Sequence, residues 1–243
     1  MDANVWLPAI TAALAIAFFV LLVDQWRMRR RAYQAIWALG ILFFGVAVAC
    51  EAVAAAAGWN EPIYLLWYLT GAVWTAGWLG LGNAFLLGRT RFGFAFALCL
   101  FFAGLFTFLT ARAEPEIYES ASTTAMLYFL VALVLALAVS VETYFQNWRW
   151  PWMAFVGVAG ATVLSIVLVL MADIAEPGYA LDPETGVPTA ELLPPELRLL
   201  TPFMNVTGAC ALILGAMFST YVFMPKKRVL AYNIDPNQPG DQF

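Results

Sequence analysis

Charged residues divide the chain into seven long apolar stretches. Residues 5–23, 32–50, 62–88, 92–111, 121–141, 150–172 and 199–225 contain no Asp, Glu, Lys or Arg. At about 1.5 Å of rise per residue, each is long enough to cross about 30 Å of hydrocarbon. The second continues past Glu51 to about residue 57. Lipid offers no partners for free backbone groups, and none of the stretches alternates as barrel strands do, so all are expected to be helices. The pattern predicts an all-α fold, a seven-transmembrane-helix bundle forming one membrane domain over residues 1–225. Its helices are expected at about 5–23, 33–57, 62–88, 92–111, 121–145, 150–172 and 199–225. A polar, Pro-containing tail, residues 226–243, is expected to follow in the cytoplasm.

The polar residues between the stretches set an orientation. Of the twelve basic residues, ten fall on one side: Arg27, Arg29, Arg30, Arg31, Arg89, Arg91, Arg149, Lys226, Lys227 and Arg228. Only Arg112 and Arg198 lie opposite, with most of the acids. The positive-inside rule then puts the N-terminus outside and the C-terminus in the cytoplasm. No cleavable signal peptide is expected, because the first stretch has neither a basic start nor a small-residue cleavage site. The composition fits this picture, with 63% hydrophobic and 12% charged residues. The acidic balance argues against a nucleic-acid partner.

Two segments outside the stretches carry structure signals. Residues 173–198 contain Glu-Pro-Gly, Asp-Pro-Glu-Thr-Gly and Pro-Pro, with Thr189 placed to cap a short helix. An ordered loop over the outer face and a disordered acidic loop are both compatible with them. Pro8, Pro62, Pro151 and Pro202 sit where helices are expected to start. Small residues recur every four positions: Ala132, Ala136, Ser140; Gly157, Ala161, Ser165; and Ala211, Gly215, Ser219. Such stripes let backbones approach closely in lipid, so the last three helices are expected to form a tightly packed unit.

Chemistry-bearing residues are few. The chain has no histidine, which excludes haem or metal ligation by His and His-based catalysis. Cys50, Cys99 and Cys210 lie within apolar runs and read as small hydrophobes. An ionisable residue inside a span marks a candidate site, which directs attention to Glu51. Helix rise puts it about 27 Å along the second helix, near the outer boundary. Asn205 is expected about 9 Å below that boundary, and Thr70 and Thr207 at comparable depth. These four are candidate ligand-binding residues of an outer-side pocket; they equally fit a set of hydrogen bonds that fixes helix packing. Trp74 and Trp78, spaced i, i+4 deep in the third helix, either stack on a ligand or pack against neighbouring helices. No ionisable residue is expected near the midplane, which weighs against an ion-coupled carrier.

Two segments resemble an uncharacterised family of bacterial polytopic membrane proteins. One carries Glu51, Gly58-Trp59, Trp67-Tyr68-Leu69, Gly71-Ala72 and Trp78 through Gly82; the other carries Arg198, Pro202, Asn205, Gly208, Gly215-Ala216 and Ser219. The resemblance implies a bacterial inner-membrane location and supplies no catalytic residues. Some relatives continue with further helices where this chain has its short tail. The seven-helix topology is also similar to that of rhodopsins, but covalent retinal needs a lysine inside the last helix, and Lys226 and Lys227 lie at its end. The expectation is therefore a non-enzymatic membrane protein in contact with lipid and with other membrane subunits or itself, as an accessory or scaffold subunit. The alternative is a sensor or carrier of a small apolar or amphipathic ligand bound around Glu51 and Asn205.

Overall fold

The computed structural model describes residues 3–88, 92–113, 115–146, 149–171 and 193–223. The acidic loop with Thr189, Arg89 and Arg91, and the polar tail lie outside the described residues. Among the described residues every regular element is helical. They are α1 (Ala3–Arg29), α2 (Ala32–Ala57), α3 (Glu61–Trp67), α4 (Ala76–Leu86), α5 (Gly93–Ala113), α6 (Pro115–Tyr144), α7 (Trp150–Met171) and α8 (Pro195–Phe223). A π-helical stretch, Tyr68–Thr75, joins α3 directly to α4. Six helices, α1, α2 and α5 to α8, are long and apolar enough to cross a membrane.

The third helical column, α3 through α4, begins at a capping sequence. The Asn60 side chain accepts a hydrogen bond from the Ile63 N–H at 3.0 Å, with Glu61 and Pro62 in the first turn. One uniform helix was expected over 62–88, but the column widens to i→i+5 bonding in its middle. Thr75 Oγ1 donates to the Thr70 carbonyl, five residues back, at 2.6 Å.

This column and α8 form the centre of the bundle, crossing where α4 meets α8 on glycine. A Cβ on Gly80 would stand 2.7 Å from the Gly208 Cα, and one on Gly208 would collide with the Ala76 carbonyl. Gly77 faces Met204, and Gly215 faces Asn83. Asn83 is buried and donates from Nδ2 to the Ala211 carbonyl at 3.2 Å. On the other side the column packs against α2. Gly82 leaves room for the Trp37 ring, whose Nε1 donates to the Leu79 carbonyl at 3.2 Å. The main neighbour of α1 is α2, that of α6 is α5, and α5 leans on α8.

The three small-residue stripes do not meet as one unit. Gly104 of α5 sits against Ala132, where an added Cβ would be 2.6 Å from the alanine methyl, so the α6 stripe serves α5. Ala211 and Gly215 serve α4. Gly157 and Ala161 instead face a cavity, and α7 packs only sparsely on α6 and α8. Equal spacing leaves the choice of partner undetermined.

Two prolines also differ from expectation. Pro8 and Pro202 lie inside α1 and α8, because both helices start earlier than their apolar runs. Each helix passes its proline with one backbone hydrogen bond fewer. The early start adds a polar first turn, with Glu196 and Arg198, ahead of the apolar run that carries Asn205.

Candidate functional site

The six candidate residues separate into three places. At the α2–α3 end, Glu51 Oε1 accepts a hydrogen bond from Trp67 Nε1 at 2.8 Å, tying α2 to α3. Around that bond lies an aromatic cluster. The Trp59 and Trp67 ring centroids are 5.4 Å apart, Tyr64 and Trp67 5.9 Å, and Tyr64 and Tyr68 6.2 Å. Tyr68 extends the cluster to α8 through a 2.8 Å hydrogen bond between its hydroxyl and that of Thr201. Thr70 is buried in the same column, but its hydroxyl donates to the Leu66 carbonyl at 2.6 Å. Asn205 is half-buried on α8. No hydrogen bond among the described side chains joins Glu51 to Thr70, Asn205 or Thr207.

In the middle of the bundle, Trp74 and Trp78 join the column to α7. Trp74 Nε1 donates to Ser165 Oγ at 2.8 Å, and Trp78 Nε1 to Thr162 Oγ1 at 3.0 Å. Each hydroxyl in turn donates to its own helix, Ser165 to the Thr162 carbonyl at 2.7 Å and Thr162 to that of Val158 at 2.8 Å. Both groups therefore have donor and acceptor roles filled, as buried polar atoms require. Phe43 of α2 packs on the other side, 4.9 Å from the Trp74 ring centroid, and Phe155 lies 5.9 Å from Trp78. Both tryptophans thus stand between helices. Thr162 and Ser165 are hydrogen-bond partners that spacing along the third helix did not point to. The i, i+3 spacing of hydroxyls on an otherwise apolar helix was the available signal.

The third place is a cavity of about 330 Å³ between α5, α6, α7 and α8, floored by Gly77 of α4. Its walls are almost wholly apolar, including Leu100, Leu135, Val158 and Met204. Thr207 lines it, is buried, and its Oγ1 has no hydrogen-bond partner among the described residues. Among the described lining residues Tyr128 is the other hydroxyl, and it donates to the Glu196 carbonyl at 3.3 Å. Nothing in the spacing of Gly157, Gly160 and Ala161 distinguished a cavity wall from a packing stripe.

Among the described residues no three His, Cys, Asp or Glu side chains cluster as metal ligands would. Cys50 and Cys99 are buried and Cys210 half-buried, all as free thiols. No protein-family model, curated protein or solved structure matches the chain.

Proposed function

We propose that the chain is a seven-span protein of the bacterial inner membrane, of the uncharacterised family it resembles, acting without catalysis as an accessory or scaffold subunit beside other membrane proteins. In this reading the column from Glu61 to Leu86 is the third span, added to the six long apolar helices. Seven spans would put the termini on opposite sides, and the distribution of basic residues supports the N-terminus outside and the C-terminus in the cytoplasm.

The observation that carries the reading is what the bundle does with its polar side chains. Glu51 with Trp67, Tyr68 with Thr201, Trp74 with Ser165, Trp78 with Thr162, Trp37 with Leu79 and Asn83 with Ala211 are all bonds between helices. In lipid such bonds contribute about 1–2 kcal/mol at most, but they fix one arrangement of helices. A carrier or enzyme needs polar groups facing a substrate path; these face one another. The large apolar faces of α1 and α7 are available to neighbours, since most of the residues along either helix are not buried within the chain.

The test is gentle extraction of the native protein, followed by native mass spectrometry and an absorption spectrum of the same peak. Co-migration with other membrane subunits at fixed stoichiometry is the expected result. A protein that is always alone and monomeric would overturn the proposal.

A further inference from the structure

We propose that the cavity between α5, α6, α7 and α8 binds a neutral, membrane-dissolved lipid that carries a single carbonyl, held by a hydrogen bond from the Thr207 hydroxyl. Three observations carry this. The first is size and character: about 330 Å³ with an almost entirely apolar wall, at the lower end of the 300–1,000 Å³ typical of small-molecule sites.

The second is Thr207 itself. It is 4% exposed, it lines the cavity, and its Oγ1 has no partner among the described residues. A buried hydroxyl without a partner is costly in an apolar surround. Every other intramembrane hydroxyl described above has a partner, including Thr70, Thr75, Thr162 and Ser165. A ligand oxygen in the cavity would complete the set.

The third is access and depth. Leu127, Val131, Val156 and Leu164 line the cavity and are also exposed on the outside of the bundle. The opening therefore lies sideways, between α6 and α7, towards the membrane. Thr207 is eight residues beyond Leu199, where the uncharged run begins, so it lies about 12 Å into the apolar part of α8. Phospholipid headgroups are charged and pay heavily to reach that depth. A molecule that is mostly hydrocarbon and carries one uncharged acceptor does not. The site does not depend on the scaffold role, and it is read out on the isolated protein.

The experiment uses full-length protein in phosphatidylcholine nanodiscs, with radiolabelled 2-tetradecanone as probe and n-tetradecane as the matched hydrocarbon. Two variants separate the hydroxyl from the space. Thr207→Val keeps the shape and removes the hydroxyl. Gly160→Leu adds bulk at the outward rim of the cavity, at an exposed position where an added Cβ meets nothing within 4 Å, and so narrows the opening without pressing on a neighbouring helix. The wild type is expected to hold about one ketone per chain, with Thr207→Val weakening the ketone by about three- to ten-fold and the alkane by less than two-fold. Gly160→Leu is expected to weaken retention of ketone and alkane alike. Equal ketone affinity in wild type and Thr207→Val would overturn the proposal, and so would retention unaffected by Gly160→Leu. Displacement of the ketone by phosphatidylglycerol, equally in both hydroxyl forms, would assign the cavity to ordinary membrane lipid and overturn it as well.

Discussion

Replacing Gly208 by alanine tests the α4–α8 crossing, because two effects of opposite sign compete there. Alanine is favoured over glycine in a helix by about 1 kcal/mol, so propensity alone makes Gly208→Ala stabilising. The new Cβ, however, would collide with the carbonyl of Ala76 and stand 2.7 Å from the Gly77 nitrogen. These are backbone atoms and cannot swing aside as a side chain would. Relief requires the two helices to part, at a cost of about 1–3 kcal/mol for overpacking. The Asn83–Ala211 hydrogen bond is stretched with it, a further loss of about 0.5–1.5 kcal/mol. Destabilisation by about 1–3 kcal/mol therefore remains after the propensity gain. Gly160→Ala is the control, since the same methyl there meets no heavy atom within 4 Å and only propensity acts. Reversible unfolding in mixed micelles, followed by tryptophan emission, should separate the two variants by about 2–4 kcal/mol. If Gly208→Ala proves as stable as Gly160→Ala, the helices do not cross on these glycines and the described centre of the bundle is wrong.

The interhelical hydrogen bonds give further tests by the same unfolding assay. Glu51→Ala should cost about 1 kcal/mol by removing the acceptor of the Trp67 N–H. Glu51→Gln retains an acceptor and should cost less; equal losses would show that the 2.8 Å bond is not formed. Thr162→Val and Ser165→Ala should each cost about 1 kcal/mol and shift the emission of one tryptophan. Unchanged emission in the double variant would separate α7 from Trp74 and Trp78. Arg30 closes α1 in the left-handed region at φ 52°, its N–H bonded to the Trp26 carbonyl at 2.8 Å. Arg30→Val should therefore be about 1 kcal/mol less stable than Arg30→Gly, and the reverse order would contradict that turn.

Much of the helix placement was legible because lipid removes alternatives. An uncharged run of twenty residues has few other fates. Helix ends were less legible, since capping at Asn60 and the entry of α8 at Pro195 depend on polar residues outside the apolar run. The π-helical widening at Tyr68–Thr75 was invisible, because Thr75 bonding to Thr70 is a local choice that apolar periodicity does not record. The partners of the small-residue stripes were invisible for a different reason. Ala132 meets Gly104, and Ala211 and Gly215 meet the α4 face, through tertiary arrangement that spacing cannot encode. In the candidate site, Glu51, Trp74 and Trp78 stood out as polar-capable groups in lipid. Their partners Trp67, Ser165 and Thr162 are ordinary residues, distinguished only by where the helices bring them. The orphan hydroxyl of Thr207 exists only in three dimensions.

The measurement that tests the scaffold account most directly is photo-crosslinking in the intact membrane. A photoreactive residue would replace Leu14 of α1 or Leu170 of α7, both on widely exposed apolar faces. The account expects a discrete protein adduct from at least one face, with the same partner that co-migrates after gentle extraction. Lipid adducts alone at both positions would contradict it.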